Sequence, residues 1–193
     1  FIFLILFRAL KKIKNKKFIY SKYAMYFVPI IITMIVEIWP IKSTGSLFST
    51  INGTSVFLGC QFGVKAMKGG KGTIVNFASS LATRPKPFVV SYNYSKAGVL
   101  ILTRTVALHC AEMGYDIRCN AVQPGAINTP MMRRYVDAAE DPDQQLSEFA
   151  ASHPMNRVGE PDEVVSAVLF LASDDSAFTT GDSISVDGGV IAI

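Results

Sequence analysis

From residue 43 onward, helical and extended hydrophobic patterns alternate along the chain. Ile51, Val56, Phe57, Cys60, Val64 and Met67 recur at helical spacing, which predicts a helix over 48–67, stopped by the glycine turn KGGKG. The β-branched run TIVNF (73–77) has the composition of a strand buried on both faces. A long helical pattern over 91–113 ends at Gly114, and a second strand over 117–122 is broken by Pro124-Gly125. Residues 131–157 are polar and interrupted by prolines, and are too long for an ordinary connection. They are expected to form a substrate-facing loop or lid. Pro161 opens a further helix through Leu171, with Glu160, Asp162 and Glu163 placed to suit its N-terminal dipole. A last short strand over 183–186 runs into Asp187-Gly188-Gly189. Strands and helices in this order predict an α/β fold with a parallel sheet.

The first 42 residues follow a different rule. Phe, Tyr, Met, Ile, Asn and Lys make up roughly two-thirds of them, a low-complexity bias shared by residues with A/T-rich codons. The chain therefore divides into an atypical apolar and basic segment, 1–42, and a folded portion, 43–193. Translated sequence never selected as protein is one reading of the segment. A membrane anchor over 24–41 is the other, opposed by Pro29, Thr33 and Glu37, and membrane association is not expected.

Charge separates at the same boundary. Residues 1–41 carry seven of the 19 Lys and Arg and one of the 15 acids, while the remainder is net −2. The overall charge of +4 therefore does not describe the folded portion, and a nucleic-acid partner is not expected. Half of the residues are hydrophobic and mean hydropathy is +0.32, which excludes a disordered chain. Cys60, Cys110 and Cys119 are odd in number and lack CxxC spacing, so neither a disulfide framework nor a metal site is expected, and a reducing cytoplasm is the expected compartment. His109 and His153 have no second ligand at metal spacing.

Candidate chemistry begins at SYNYSK (91–96). Tyr92 and Lys96 are four residues apart and share one helix face, whereas Tyr94 points elsewhere. An ammonium beside a phenol favours the phenolate and equips the pair for proton transfer. Ser79 follows the strand TIVNF, at the carboxyl end where open α/β sheets place ligand-binding groups.

Asn52 in INGTSVFLGCQ, Ser79 in IVNFASS, Tyr92 and Lys96 in YNYSK, NAVQPGAINTPM (120–131) and the tail SVDGG together resemble the short-chain dehydrogenase/reductase family. Within that family the segments look most similar to bacterial hydroxysteroid and cyclic-alcohol dehydrogenases. The resemblance implies a Rossmann-like, doubly wound parallel sheet of which 43–193 is the C-terminal half. It also implies oxidation of a secondary alcohol, or reduction of a ketone, with NAD or NADP. Tyr92 would exchange a proton with the substrate oxygen. Lys96 would ease ionisation of Tyr92 and hold the nicotinamide ribose, Ser79 would hydrogen-bond the substrate oxygen, and Asn52 would hold a water leading to Lys96. Pro124 and Gly125 would shape the turn beside the nicotinamide, Ile127 and Thr129 would contact its carboxamide, and Met131, Met132 and Phe149 would give apolar contact to substrate. A homo-oligomer through the helices 48–67 and 91–113 is expected.

The family's first half, with TGxxxGxG and NNAG, has no counterpart here. Thr44-Gly45 imitates the fingerprint, but Ser49 and Ile51 stand where its glycines belong. GGKGT (69–73) precedes a strand instead of following one and reads as a turn. The chain is therefore expected to bind dinucleotides weakly or not at all and to be poorly soluble alone. A non-enzymatic remnant or interaction protein and a membrane-tethered protein are the competing readings.

Overall fold

The computed structural model describes residues 46–193, with side chains from residue 53 onward. The segment 1–42, including the candidate anchor 24–41, lies outside the described residues, and no described helix is long and apolar enough to cross a membrane. The elements run α1 (Ser46–Met67), β1 (Gly72–Phe77), α2 (Val90–Glu112), β2 (Ile117–Pro124), α3 (Pro130–Asp137), α4 (Pro142–Ala151), α5 (Pro161–Ala172) and β3 (Ser183–Val186), with short 3-10 turns between some of them.

The three strands form one parallel sheet in the order β1-β2-β3, with Gly72 opposite Ile117 and Pro124 opposite Val186. Strand alternation assigns its two faces. On one face, Asn76 Nδ2 donates to Thr103 Oγ1 of α2 at 2.9 Å and lies 3.5 Å from Cys60 Sγ of α1 and 3.7 Å from Cys119 Sγ of β2. On the other, Val75, Val122, Ile184 and Val186 pack with Val164, Val168 and Leu171 of α5. Both faces are therefore covered by helices, the doubly wound arrangement that buries a parallel sheet. β2 is the central strand, and Cys119, Asn120, Ala121 and Val122 are fully buried.

The structure departs from the sequence reading between β2 and α5. Residues 131–157 are not a loop but contain α3 and α4. Pro130 and Pro142 do not interrupt helices here. Each sits in the first turn of one, behind a side chain that caps it: Thr129 Oγ1 accepts from Met132 N, and Asp141 Oδ1 accepts from Gln144 N at 3.0 Å. A proline at that position loses no hydrogen bond, since its nitrogen would have had no intrahelical partner.

Candidate functional site

Two groups of residues meet the carboxyl ends of β1 and β2. At β1, Ala78 N–H donates to Val122 O at 2.9 Å, prolonging the ladder by one residue before the chain turns. Ser79 follows with extended backbone and is 7% exposed. Its Oγ accepts from Leu81 N at 3.2 Å and so starts the 3-10 turn Ser80–Ala82, which packs against α2. That bond uses an oxygen lone pair and leaves the hydroxyl proton to donate elsewhere.

The start of α2 is fixed by Asn93 Nδ2 donating to Lys86 O at 2.7 Å and by Ser95 Oγ donating to Tyr92 O at 2.9 Å. Tyr94 is 81% exposed, whereas Tyr92 is half-buried and faces Lys96, whose Nζ lies 5.7 Å from the Tyr92 ring centroid. Lys96 Nζ also donates to Phe77 O, the last carbonyl of β1, at 2.9 Å. The ammonium therefore joins the phenol's helix to the strand end that carries Ser79. Burial without a carboxylate partner pushes the Lys96 pKa below the ordinary lysine value.

At β2 the chain leaves the sheet through Gly125, whose N–H donates to Val186 O at 3.0 Å. A Cβ here would lie 2.7 Å from His153 Nε2 and 2.9 Å from the Asp187 Cα, so no larger residue fits without moving backbone. The next residues are held in sequence. Ala126 N–H donates to His153 Nε2 at 3.0 Å, Gly159 N–H donates to Ala126 O at 2.9 Å, and Asn128 N–H donates to Gly159 O at 2.8 Å. Ile127 packs beside Val122, Val164 and Leu171, which secures its side chain while the bridge to Gly159 runs through its neighbours' backbone groups. Asn128 Nδ2 donates to the Glu160 carboxylate at 3.1 Å, and its Oδ1 accepts from Arg133 Nε at 2.6 Å. Thr129 Oγ1 accepts from Met132 N at 3.3 Å.

The remaining sequence-derived candidates are scattered. Met131 is exposed, Met132 is buried within α3, and Phe149 meets the Tyr135 ring edge-on at 6.0 Å. Asn52 lies in α1, and its side chain is outside the described residues. A cavity of about 330 Å³ is lined by the turn residues Ala126 and Ile127 together with His153, Arg157, Glu163 and Asp187 among others, and none of Ser79, Tyr92 or Lys96 lines it. Sequence reasoning weighed His153 only as a metal ligand and missed its structural role. The residue is 6% exposed and bonded to backbone atoms, and its partner Ala126, 27 residues upstream, leaves no spacing signal.

A family profile described as Enoyl-(Acyl carrier protein) reductase matches residues 45–191. The 3-beta-hydroxysteroid dehydrogenase of Comamonas testosteroni is 40% identical over 147 residues, covering 74% of this chain and 56% of that protein. The chain belongs to the short-chain dehydrogenase/reductase family. Another relative in the family, the NADP-dependent (R)-specific alcohol dehydrogenase of Lentilactobacillus kefiri, is 37% identical over 145 residues, again 74% of this chain and 56% of that protein. The ligand-free aldohexose dehydrogenase of Thermoplasma acidophilum superposes with a TM-score of 0.72 at 33% identity, over 80% of this chain and 63% of that one. The chain spans about half the length of the dehydrogenases it matches. The family is one of NAD(P)-dependent oxidoreductases acting on CH–OH groups, and the three-stranded sheet is part of its Rossmann-like fold.

Residues 46–193 fit one end of such a cofactor. A partly desolvated ammonium beside a phenol, and a rigid turn at the neighbouring strand end, suit a nicotinamide ribose and carboxamide. No glycine-rich turn follows a described strand in the register that a pyrophosphate requires. GGKG (69–72) runs into the start of β1, at the amino-terminal end of the strand, away from the carboxyl ends that carry the site.

Proposed function

We propose that residues 43–193 are the catalytic and substrate-binding portion of an NAD(P)-dependent oxidoreductase that interconverts a secondary alcohol and its ketone. The observation that carries this reading is the Lys96 ammonium, set between the Tyr92 ring and the last carbonyl of β1, that of Phe77, two residues before Ser79. When bound, the nicotinamide supplies or accepts the hydride. Tyr92 then gives its hydroxyl proton to the forming alcohol oxygen, or takes one in the reverse direction. The Lys96 ammonium stabilises the phenolate and offers its remaining protons to ribose hydroxyls. Ser79 donates its free hydroxyl proton to the substrate oxygen as negative charge develops there. Asn52 would hold the water through which Lys96 exchanges protons with solvent. Pro124 and Gly125 shape the nicotinamide-facing turn, with Ile127 supplying backbone contacts and Thr129 a hydroxyl. Met131, exposed on α3, and Phe149 on α4 would bound the substrate side, whereas Met132 packs inward. The likeness to the 3-beta-hydroxysteroid dehydrogenase of Comamonas testosteroni supports a hydroxysteroid or another cyclic alcohol as the proposed substrate, among relatives named for varied alcohols.

Exposed Tyr94, Ile101 and Leu108 recur every seven residues along α2, and Phe62 is exposed on α1. This stripe supports a homo-oligomer formed through α1 and α2, and Ile101→Glu should shift the sedimentation of the full chain toward monomer.

The test of function is turnover in a chimera in which residues 1–45 are replaced by the nucleotide-binding half of a relative. Tyr92→Phe should lower turnover by at least about a hundredfold with the fold intact, since it removes only the titrating hydroxyl. Near-normal turnover would reject the mechanism.

A further inference from the structure

The protonation state of His153 can be read from its two partners. Nδ1 lies 2.7 Å from Phe149 O, an atom that only accepts, so Nδ1 carries the proton. Nε2 then has a free lone pair, and Ala126 N–H donates to it at 3.0 Å. Both contacts specify the same neutral tautomer. Flipping the ring would put a C–H group against each partner. Ser152 Oγ, 3.1 Å from Nδ1, is itself committed to Phe149 O at 2.8 Å and does not change this assignment.

The location of this bond gives it consequence. Ala126 is the first residue beyond Gly125, and Gly125 packs so tightly against the same imidazole that a Cβ would overlap Nε2. The ring thus meets the chain where it leaves β2, before the Gly159 bridge and the Asn128 contacts hold its later part. Asp187, whose Cα also crowds Gly125, uses its carboxylate to accept from Gly189 N and Ile191 N and does not compete for the Ala126 amide.

We propose that His153 is a positioning residue for the nicotinamide-facing turn. Its Nε2 lone pair holds the Ala126 amide and so sets the path of Gly125 through Thr129. The inference rests on the reading of that turn as a nicotinamide contact, and the experiment separates the two.

In the full ¹⁵N-labelled chain, a scalar coupling across the hydrogen bond should connect Ala126 N and His153 Nε2. Absence of that coupling with both signals resolved overturns the proposal, and this measurement needs no variant to fold. His153→Phe keeps ring volume without an acceptor, whereas His153→Gln keeps an acceptor near the Nε2 position. Amide exchange at Ala126 should rise about tenfold in the Phe variant, as expected when a part-buried amide loses its acceptor, and stay within about twofold of wild type in the Gln variant. Equal exchange in the two variants would mean that the imidazole merely fills space, and would overturn the proposal. Nicotinamide mononucleotide should shift the 126–129 amides in wild type and in His153→Gln, and shift them less in His153→Phe. If the coupling and the exchange pattern hold but the wild-type turn ignores the mononucleotide, His153 still positions the turn and the nicotinamide reading is what fails.

Discussion

The ends of β1 and β2 are neighbours in the sheet but are built differently. At β1, Ser79, Tyr92 and Lys96 are held lightly: one cap, one helix face and one ammonium-to-carbonyl bond. At β2, successive backbone groups from Gly125 to Asn128 are bonded to β3, His153 or Gly159, and side chains add further bonds. Groups that move protons need unspent donors and acceptors, whereas a surface that orients a flat ring needs a fixed backbone. The difference predicts that substitutions at the β1 end alter chemistry with little loss of stability, while those at the β2 end alter stability first.

In the chimera, the sharpest contrast after Tyr92→Phe is Lys96→Met. Turnover and cofactor affinity should each fall by about tenfold or more, because the ammonium serves both phenolate and ribose, while the melting temperature changes little. Tyr94→Phe should leave kinetics within about twofold, since its side chain is 81% exposed. A loss at Tyr94 equal to that at Tyr92 would place the functional face on the wrong side of α2.

Gly125→Ala tests the other end. Overlap with His153 Nε2 and the Asp187 backbone should cost about 1–3 kcal/mol, read as a lowered denaturation midpoint of the full chain. An unchanged midpoint would show that the turn is not tightly packed.

How much of this is legible in sequence depends on whether partners are near along the chain. The i, i+4 spacing is enough to bring Lys96 near Tyr92, and the β-branched run TIVNF and the Pro124-Gly125 break are enough to locate β1 and β2 within two residues. The pattern of a capping residue followed by proline is legible too. It marks α5 at Glu160-Pro161, and the same signal at Thr129-Pro130 and Asp141-Pro142 marks α3 and α4, where counting prolines as breaks suggests a loop. His153 has no such local signal, because it recognises backbone atoms, and every residue but proline offers the same amide.

The smallest predicted effect concerns the start of α5. Arg157 donates two bonds to the Glu163 carboxylate, at 2.6 and 2.8 Å, and Glu160 N–H donates a third at 2.7 Å. These partners, the guanidinium foremost, hold the Glu163 pKa at about 2 instead of 4.5. A carboxylate with a lowered folded-state pKa stabilises the fold fully above its unfolded value, so this contribution is present above pH 4.5 and lost as pH falls toward 2. Because the pair is solvent-exposed the effect is small. Glu163→Gln should slightly lower stability at neutral pH and flatten the acid decline. An acid profile identical to wild type would detach this pair from the rigidity of the β2 end.

On the proposed function, the light β1 end and the rigid β2 end face one ligand. Intermolecular NOEs from the nicotinamide ring protons of nicotinamide mononucleotide to the labelled chain test it most directly. Contacts to Tyr92 and to the 125–129 turn are expected in the same complex. Contacts confined to one end, such as contacts to the turn with Arg157 and Glu163 but none to Tyr92, would contradict it.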